Sequence, residues 1–406
     1  MVRERHMKRE IFREMIERYG MQTPCYIFDT DELTDRVQRI QRELAVCGSE
    51  LCFAIKANPF LIPALDTLIP KYEVCSQGEL EICRADRIAG EKIIFSGVVK
   101  SEADIKAALE YPVGIVTVES YRQWQFLKEA VAVTGRGTKV LLRLSSGAQF
   151  GMERETVLQI AEELQTEPQI VFSGIHFFAG TQRKGCKYEK ELPMLVELMG
   201  ELREKCGTND MILEYGPGLA VPYFEGDSFE NSLESIRDLA AYIVAQQYSF
   251  RVNIELGRYI AASCGHYVTR IVDRKTAEER NYCLVDGGIH HVVYYGQNMA
   301  MRKPIVHHIA CSEQDGEKQE YMICGSLCTF ADILVRGISL RNPQIGDWLV
   351  FDQIGAYSVT EGVYLFLSRN LPTVYLYSQA AGMYSVRDSL ATWEINSGEF
   401  ETYVRE

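Results

Sequence analysis

The chain has 406 residues, 47% hydrophobic and 24% charged, a length for roughly two or three globular domains. Its net charge of -13, with no basic stripe to offset it, argues against nucleic acid as a partner. No apolar run nears the ~20 residues of a membrane helix, and the opening MVRERHMKREIFREMIERYG lacks the apolar core of a secretory signal. No membrane association is expected, the expected location is cytoplasmic, and the 12 scattered cysteines are read as mostly reduced core residues.

The first β-rich run, PCYIFD (24–29), is expected to cross over and join a later sheet. TDELTDRVQRIQRELAVCG follows with helical spacing, Thr30 and Glu32–Leu33 marking its start and Gly48 its stop. From residue 50 to about 257 come eight continuous apolar runs: ELCFAIKA, KYEVCS, KIIFSG, GIVTVES, KVLLRL, VFSGIHFF, MILEYG and FRVNIELG. Such runs suit strands buried on both faces. Amphipathic stretches lie between them, among them GELEICRADRIA, SEADIKAALE, SYRQWQFLKEAVAV and ENSLESIRDLAAYIVAQQ. Repeated β-then-α units predict a (β/α)8 TIM barrel more than an open doubly wound sheet. After about residue 265 the pattern changes: HYVTRIVDR, RNYCLVDGG, PIVHHIAC, EYMICGSL, DWLVFDQIG and PTVYLYS are joined by turns with few helices. They predict a mostly antiparallel β domain. The expected division is an N-terminal segment joining the β domain (1–30), a barrel (31–262) and a C-terminal β domain (263–406).

Placed on this barrel, the unusual polar residues gather at strand ends. Lys56 ends the first strand, Ser76 the second, Ser96 and Gly97 the third and Arg143 the fifth. His176 lies near the end of the sixth, Gly216-Pro217-Gly218 follows the seventh, and Glu255 and Arg258 end the eighth. A lone lysine after an apolar run ordinarily snorkels into water. Convergence of so many polar residues on the face where barrels hold their chemistry favours an amine nucleophile instead. A lysine for an aldehyde, glycines that let backbone N–H groups approach a phosphate, and a buried carboxylate for a pyridine nitrogen together describe pyridoxal 5'-phosphate. The G-x-G alone is weak, and neither G-x-G-x-x-G nor a Walker loop occurs.

The ordered motifs FAIKAN, EVCSQGEL, GIHFFAGTQ, YGPG, ELGR, LVDGG, CGSLC with Asp332, and GAY resemble the fold-type III pyridoxal-phosphate decarboxylases, which include diaminopimelate, ornithine and arginine decarboxylases. The resemblance spans about residues 23 to 380. It implies that Lys56 forms the Schiff base with the cofactor and that Glu255 pairs with the pyridine nitrogen. Gly218, Arg258 and Tyr357, with the backbone of Ala179-Gly180-Thr181, then surround the phosphate; Gly216 and Gly257 belong to the same cofactor-binding motifs. Cys328 matches the cysteine that protonates the carbanion after CO2 leaves, and Asp332 a substrate-binding aspartate. In the family that cysteine reaches the neighbouring subunit, so a two-fold homodimer with shared active sites is implied.

The chain departs from the family in places. Where two histidines often stand two apart, it has His176 and Phe178, whose ring remains able to stack on the cofactor. Glu73 replaces a common aspartate. Diaminopimelate decarboxylases carry an arginine after DGG and a glutamate after the catalytic cysteine; here those positions hold Tyr294 and Thr329. Two groups that read the far end of diaminopimelate are therefore missing, although Arg302 and Lys303 lie slightly downstream. DGGIHHVVYYGQN and CGSLCTFADIL look closer to a branch that decarboxylates an amino acid, such as a glutamyl thioester, held on an acyl carrier protein. The substrate is thus read as a small-molecule amino acid, derivatised or carrier-bound. A diaminopimelate or free basic amino acid decarboxylase is the alternative. An amino acid racemase shares the layout but needs a tyrosine where Cys328 stands, and non-catalytic relatives lack either the catalytic set or the β domain. His290 and His291 are expected to face opposite ways along a strand, one of them, taken as His290, toward the substrate. No metal is expected; Cys324 and Cys328 make only a weak zinc pattern.

Overall fold

A computed structural model describes residues 9–227, 233–313 and 315–398. The start of the expected helix at 230–232 and the chain ends at 1–8 and 399–406 lie outside the described residues. The chain forms two compact units: Met1–Leu33, Pro222–Glu230 and Ala261–Glu406 in one, Thr34–Val221 and Asn231–Ile260 in the other. The first strand, β1 (Cys25–Asp29), belongs to the former.

The second unit is the barrel. β2 (Leu51–Ala54), β3 (Lys71–Val74), β4 (Ile93–Phe95), β5 (Ile115–Val118), β6 (Thr138–Arg143), β7 (Ile170–Phe178), β8 (Ile212–Gly216) and β9 (Arg251–Leu256) close in sequence order, all parallel, with β9 returning to β2. The runs read as doubly buried are therefore barrel strands, buried by neighbours inside and helices outside. Three βα loops end on the same device. Ser76, Ser101 and Ser120 accept from the backbone N–H of Glu79, Asp104 and Gln123, capping the helices Gln77–Ala85, Glu102–Glu110 and Tyr121–Thr134. Each cap is worth ~1 kcal/mol against alanine. Within the barrel Cys52, Ile94, Ile115 and Leu141 pack with Ile212 as an apolar layer. Because side chains alternate along a strand, the inward residues two positions further on form the next layer, and apart from Ala54 that layer is polar: Ser96, Thr117, Arg143 and Glu214.

The first unit is a nine-stranded sheet. It comprises β1, β10 (Gly265–Ala277), β11 (Arg280–Val285), β12 (Val306–Ile309), β13 (Lys318–Cys324), β14 (Ile333–Arg341), β15 (Trp348–Phe351), β16 (Thr373–Ser378) and β17 (Gly382–Arg387). The main order is β14-β13-β11-β10-β1-β16-β17, with β15 joining β10 to β12. As expected, the N-terminal run enters this sheet: β1 lies antiparallel to β10, Cys25 beside Val268, and parallel to β16. The β11/β13 ladder is also parallel, the rest antiparallel. The charged N-terminal segment proves amphipathic. Its helix, Arg9–Tyr19, sets Phe12 and Met15 three residues apart against Cys25, Ile27, Val268, Val350 and Met383, and three residues is the spacing of one helix face. Residues 222–227 also fall in this unit, although the sequence division assigns them to the barrel.

Candidate active site

Lys56 does not end a strand. β2 stops at Ala54, and Ile55–Ala57 make one 3-10 turn with Ile55 and Ala57 buried. The Asn58 side chain accepts from the amide of Phe60 at 3.1 Å to start the next turn, and its own amide closes this one on the Ile55 carbonyl at 3.0 Å. This turn lifts Lys56 to the barrel mouth. Its Nζ lies 2.8 Å from Glu73 Oε2 and 3.4 Å from Cys75 Sγ, while the Cys75 thiol donates to Glu73 Oε1 at 2.8 Å. Glu73 is 2% exposed, so its carboxylate is a fixed partner for the amine. Burial, then the charge of Glu73, pushes the Cys75 thiol up, so it stays a neutral donor.

Next along the barrel is a second charged group. Glu119 accepts from Arg143 Nη1 at 3.1 Å and lies 3.9 Å from the Nζ of Lys100. The Lys100 side chain is 1% exposed and donates to the Gly97 carbonyl at 2.6 Å. Burial pulls its ammonium down to about 8, against the opposing pull of Glu119. Opposite, His176 Nε2 meets Glu255 Oε2 at 3.1 Å. Burial alone would raise Glu255, but the His176 bond and the charges of Lys56 and Arg143 hold its carboxyl well below the usual range. Glu255 therefore stays an anion, the state needed to keep a proton on a facing ring nitrogen.

The loops after β7, β8 and β9 converge. Gly218 has φ +62°, and a Cβ there would sit 1.8 Å from the Gly180 carbonyl, so only glycine permits this approach. Arg183 N donates to the Gly218 carbonyl at 2.8 Å, and Arg258 Nε to Thr181 Oγ1 at 3.1 Å. Thr181, Gly218 and Arg258 are thus drawn together, with Gly257 close-packed on Ala54 and Ala57. The Phe178 ring lies over Gly216, where a Cβ would stand 2.6 Å from its Cδ2. Amine, buried anion and backbone cradle in one barrel mouth fit pyridoxal 5'-phosphate.

In the sheet unit, Cys328 is exposed on the loop after β13, beside Phe330 at 98% exposure. Asp332 is buried, accepting from Ile289 N at 2.8 Å and Leu327 N at 2.7 Å, so its carboxylate fixes the loops after β11 and β13. Tyr357 adopts φ 69°, its carbonyl accepting from the amides of Thr360 and Glu361. Arg302 pairs with Asp227 and lies over the Phe224 ring. Tyr294 is core: its OH donates to the Asp352 carbonyl at 2.7 Å, and its ring packs on Tyr223 and Phe224. The expectation for His290 and His291 needs correction. β11 ends at Val285, and Gly287-Gly288 lead into a turn, so strand alternation does not apply. Both residues are buried, their ring centroids 3.6 Å apart. Burial and the charge of Arg369 take His290 down to about 4. His307 and His308 instead bond Asp352 at 2.7 Å and Asp347 at 2.8 Å.

Sequence reading passed over Cys75, Lys100, Glu119, Glu214 and Asn253. Four of these carried a signal. They are polar residues that alternate inward with apolar ones inside or just past barrel strands, as Asn253 and Glu255 do in RVNIEL.

Known proteins resemble this chain in sequence and fold. The pyridoxal-dependent decarboxylase, pyridoxal binding domain, matches residues 30–262. An L-glutamyl-[BtrI acyl-carrier protein] decarboxylase of Niallia circulans is 26% identical over 86% of this chain and 88% of its own. A diaminopimelate decarboxylase of Deinococcus radiodurans is 27% identical over 92% and 94%. The crystal structure of diaminopimelate decarboxylase from Helicobacter pylori complexed with L-lysine superposes with a TM-score of 0.83 at 20% identity, over 95% and 99% of the two chains.

Proposed function

The chain belongs to the pyridoxal-dependent decarboxylases, and from that premise we propose that it removes the carboxyl group of a derivatised or carrier-bound, glutamyl-like amino acid. Pyridoxal 5'-phosphate, when bound, supplies the electron sink that takes up the pair left by departing CO2. The protein's part is to hold and steer. Lys56 carries the cofactor on its amine, with Glu73 2.8 Å away to move and hold its proton. Glu255, anchored by His176, keeps a proton at the ring nitrogen. Thr181, Gly218 and Arg258 hold the phosphate, with Gly216, Gly257 and Tyr357 in the same role, and Phe178 supports the ring face. Cys328 returns a proton to the reacting carbon, and Asp332 and His290 belong to substrate binding. In a homodimer Cys328 would serve the partner's site.

The observation that carries the substrate reading is Tyr294. It fills a core position, ringed by Tyr223 and Phe224, where a reader of a distal carboxylate would need a charged, reachable group. Arg302, the nearest substitute, is already engaged by Asp227. The carrier-protein relative at 26% identity adds support; diaminopimelate decarboxylases at 25% and 27% keep the alternative in view. A missing charge-assisted contact removes roughly 1.5–3 kcal/mol, about tenfold to hundredfold in kcat/KM. Comparing kcat/KM for diaminopimelate, lysine, ornithine, arginine and a glutamyl thioester tests the reading: the thioester is expected to lead. Turnover of free diaminopimelate at ~10⁴ M⁻¹s⁻¹ or above would overturn it.

A further inference from the structure

Two buried polar atoms inside the barrel have no hydrogen-bond partner among the described residues: Nδ1 of His176 and Oε1 of Glu214. They are neighbours by register. β7 and β8 run parallel with His176 beside Glu214, and β9 sets Asn253 beside Glu214 in turn. Both residues face inward: His176 reaches Glu255, and Glu214 accepts from Asn253 Nδ2 at 3.4 Å. Both are closed to solvent, His176 at 2% exposure and Glu214 at 0%. An orphaned buried polar atom costs roughly 1–3 kcal/mol, and internal water is the usual remedy where polar partners face one another.

We infer that Glu214, His176 and Glu255 form one hydrogen-bonded chain, closed by a single buried water between Glu214 Oε1 and His176 Nδ1, and that Glu214 is a positioning residue fixing the tautomer of His176. The inference rests on the reading of Glu255 as partner of the cofactor nitrogen. Protons run one way along the chain. Burial and the charge of Glu255 push the Glu214 carboxyl up to about 8, against the Asn253 and Cys52 hydrogen bonds, with the Glu50 charge adding to the rise. Glu214 is thus a neutral acid whose O–H donates to the water. The water donates to Nδ1, which leaves the imidazole proton on Nε2, and Nε2–H donates to the Glu255 anion. Glu255 is faced besides by Lys56 and Arg143, whose charges pull it down, while its own charge raises Glu214. With Glu214 protonated, the Glu214 and Glu255 pair carries one negative charge rather than two.

The test is ¹⁵N-histidine NMR of the full-length protein as purified, with His176→Gln identifying the signal among the 7 histidines. At neutral pH wild-type Nδ1 is expected at the shift of an unprotonated nitrogen. Glu214→Leu should move it toward the protonated value, as the ring takes the other tautomer or a second proton. Glu214→Gln, whose amide still donates, should restore the wild-type shift, and a packing role alone would not produce that pattern. A wild-type Nδ1 carrying a proton, or a Glu214→Leu spectrum identical to wild type, overturns the inference; if Glu214→Leu does not fold, the wild-type shift decides. The spectrum requires no substrate, so failure of the decarboxylase reading would show separately, in the turnover panel.

Discussion

Lys100 offers a sharp physical test because it works against the stability of its own barrel. Its ammonium is 1% exposed, and burial takes it from 10.5 to about 8. At ~1.4 kcal/mol per pH unit, holding that charge in the folded barrel at pH 7 costs roughly 3 kcal/mol. Lys100→Met removes the charge and keeps the length of the side chain. It also removes the bond to the Gly97 carbonyl, a loss of ~1 kcal/mol that does not change with pH. The pH-dependent part is therefore separable. Between about 8 and 10.5 the unfolded chain keeps a proton that the folded chain has shed, so wild-type stability gains with rising pH through this group. The variant lacks that gain. From pH 7 to pH 9.5 the stability of Lys100→Met relative to wild type should fall by roughly 2 kcal/mol, from these two values and the linkage relation. Paired urea unfolding curves at the two pH values measure it, since all other titrations cancel in the difference. Turnover should drop as well, because Lys100 and Arg143 together balance Glu119 beside the Lys56–Glu73 pair. Stability curves that run parallel across this range would refute the buried-ammonium argument.

Borohydride reduction should fix the cofactor to a peptide containing Lys56; a label on any other lysine would remove Lys56 from its role. Glu255→Gln should still bind cofactor yet lose roughly 10²-fold in kcat, since a neutral amide no longer favours the protonated ring nitrogen, and near wild-type turnover would rule that out. Mixing inactive Lys56→Ala and Cys328→Ala chains should restore about one site in four under random exchange, because a two-fold heterodimer gathers both defects in one of its two sites. No recovery from subunits shown to exchange would mean that each chain builds its own site.

The barrel was legible because its strands are continuous apolar runs and its loops announce themselves with serine caps at 76, 101 and 120. The entry of β1 into the distant sheet was legible from an isolated β-rich run with no helix-separated partner. Two helices were not. Arg9–Tyr19 hides Phe12 and Met15 among charges, and Tyr188–Cys206 carries Pro193 inside an otherwise regular apolar spacing of Leu192, Leu195, Leu198 and Leu202. Tertiary burial outweighs both local signals. At the site, the residues that sequence proposes stand at or just past strand ends: Lys56, Gly218, Glu255 and Arg258. Those missed lie mostly one step beneath or beside them.

That difference has a physical origin. A residue past the end of a strand interrupts an apolar run and is visible as a break. A residue such as Glu214 sits within the run, and only its direction distinguishes it from Leu213 and Tyr215, which point the other way. Direction becomes readable once register is known: β7/β8 sets His176 beside Glu214, and β2/β9 sets Cys52 beside Glu255. The same reasoning explains Gly216. As a turn residue it needs no comment, yet the Phe178 ring occupies the space its side chain would take. The glycine and the phenylalanine are one packing unit, so Phe178→His should be tolerated by shape, whereas Gly216→Ala should displace the ring. The departure from the family's second histidine is thus compatible with the cradle, because Phe178 keeps a flat ring where a flat ring is needed.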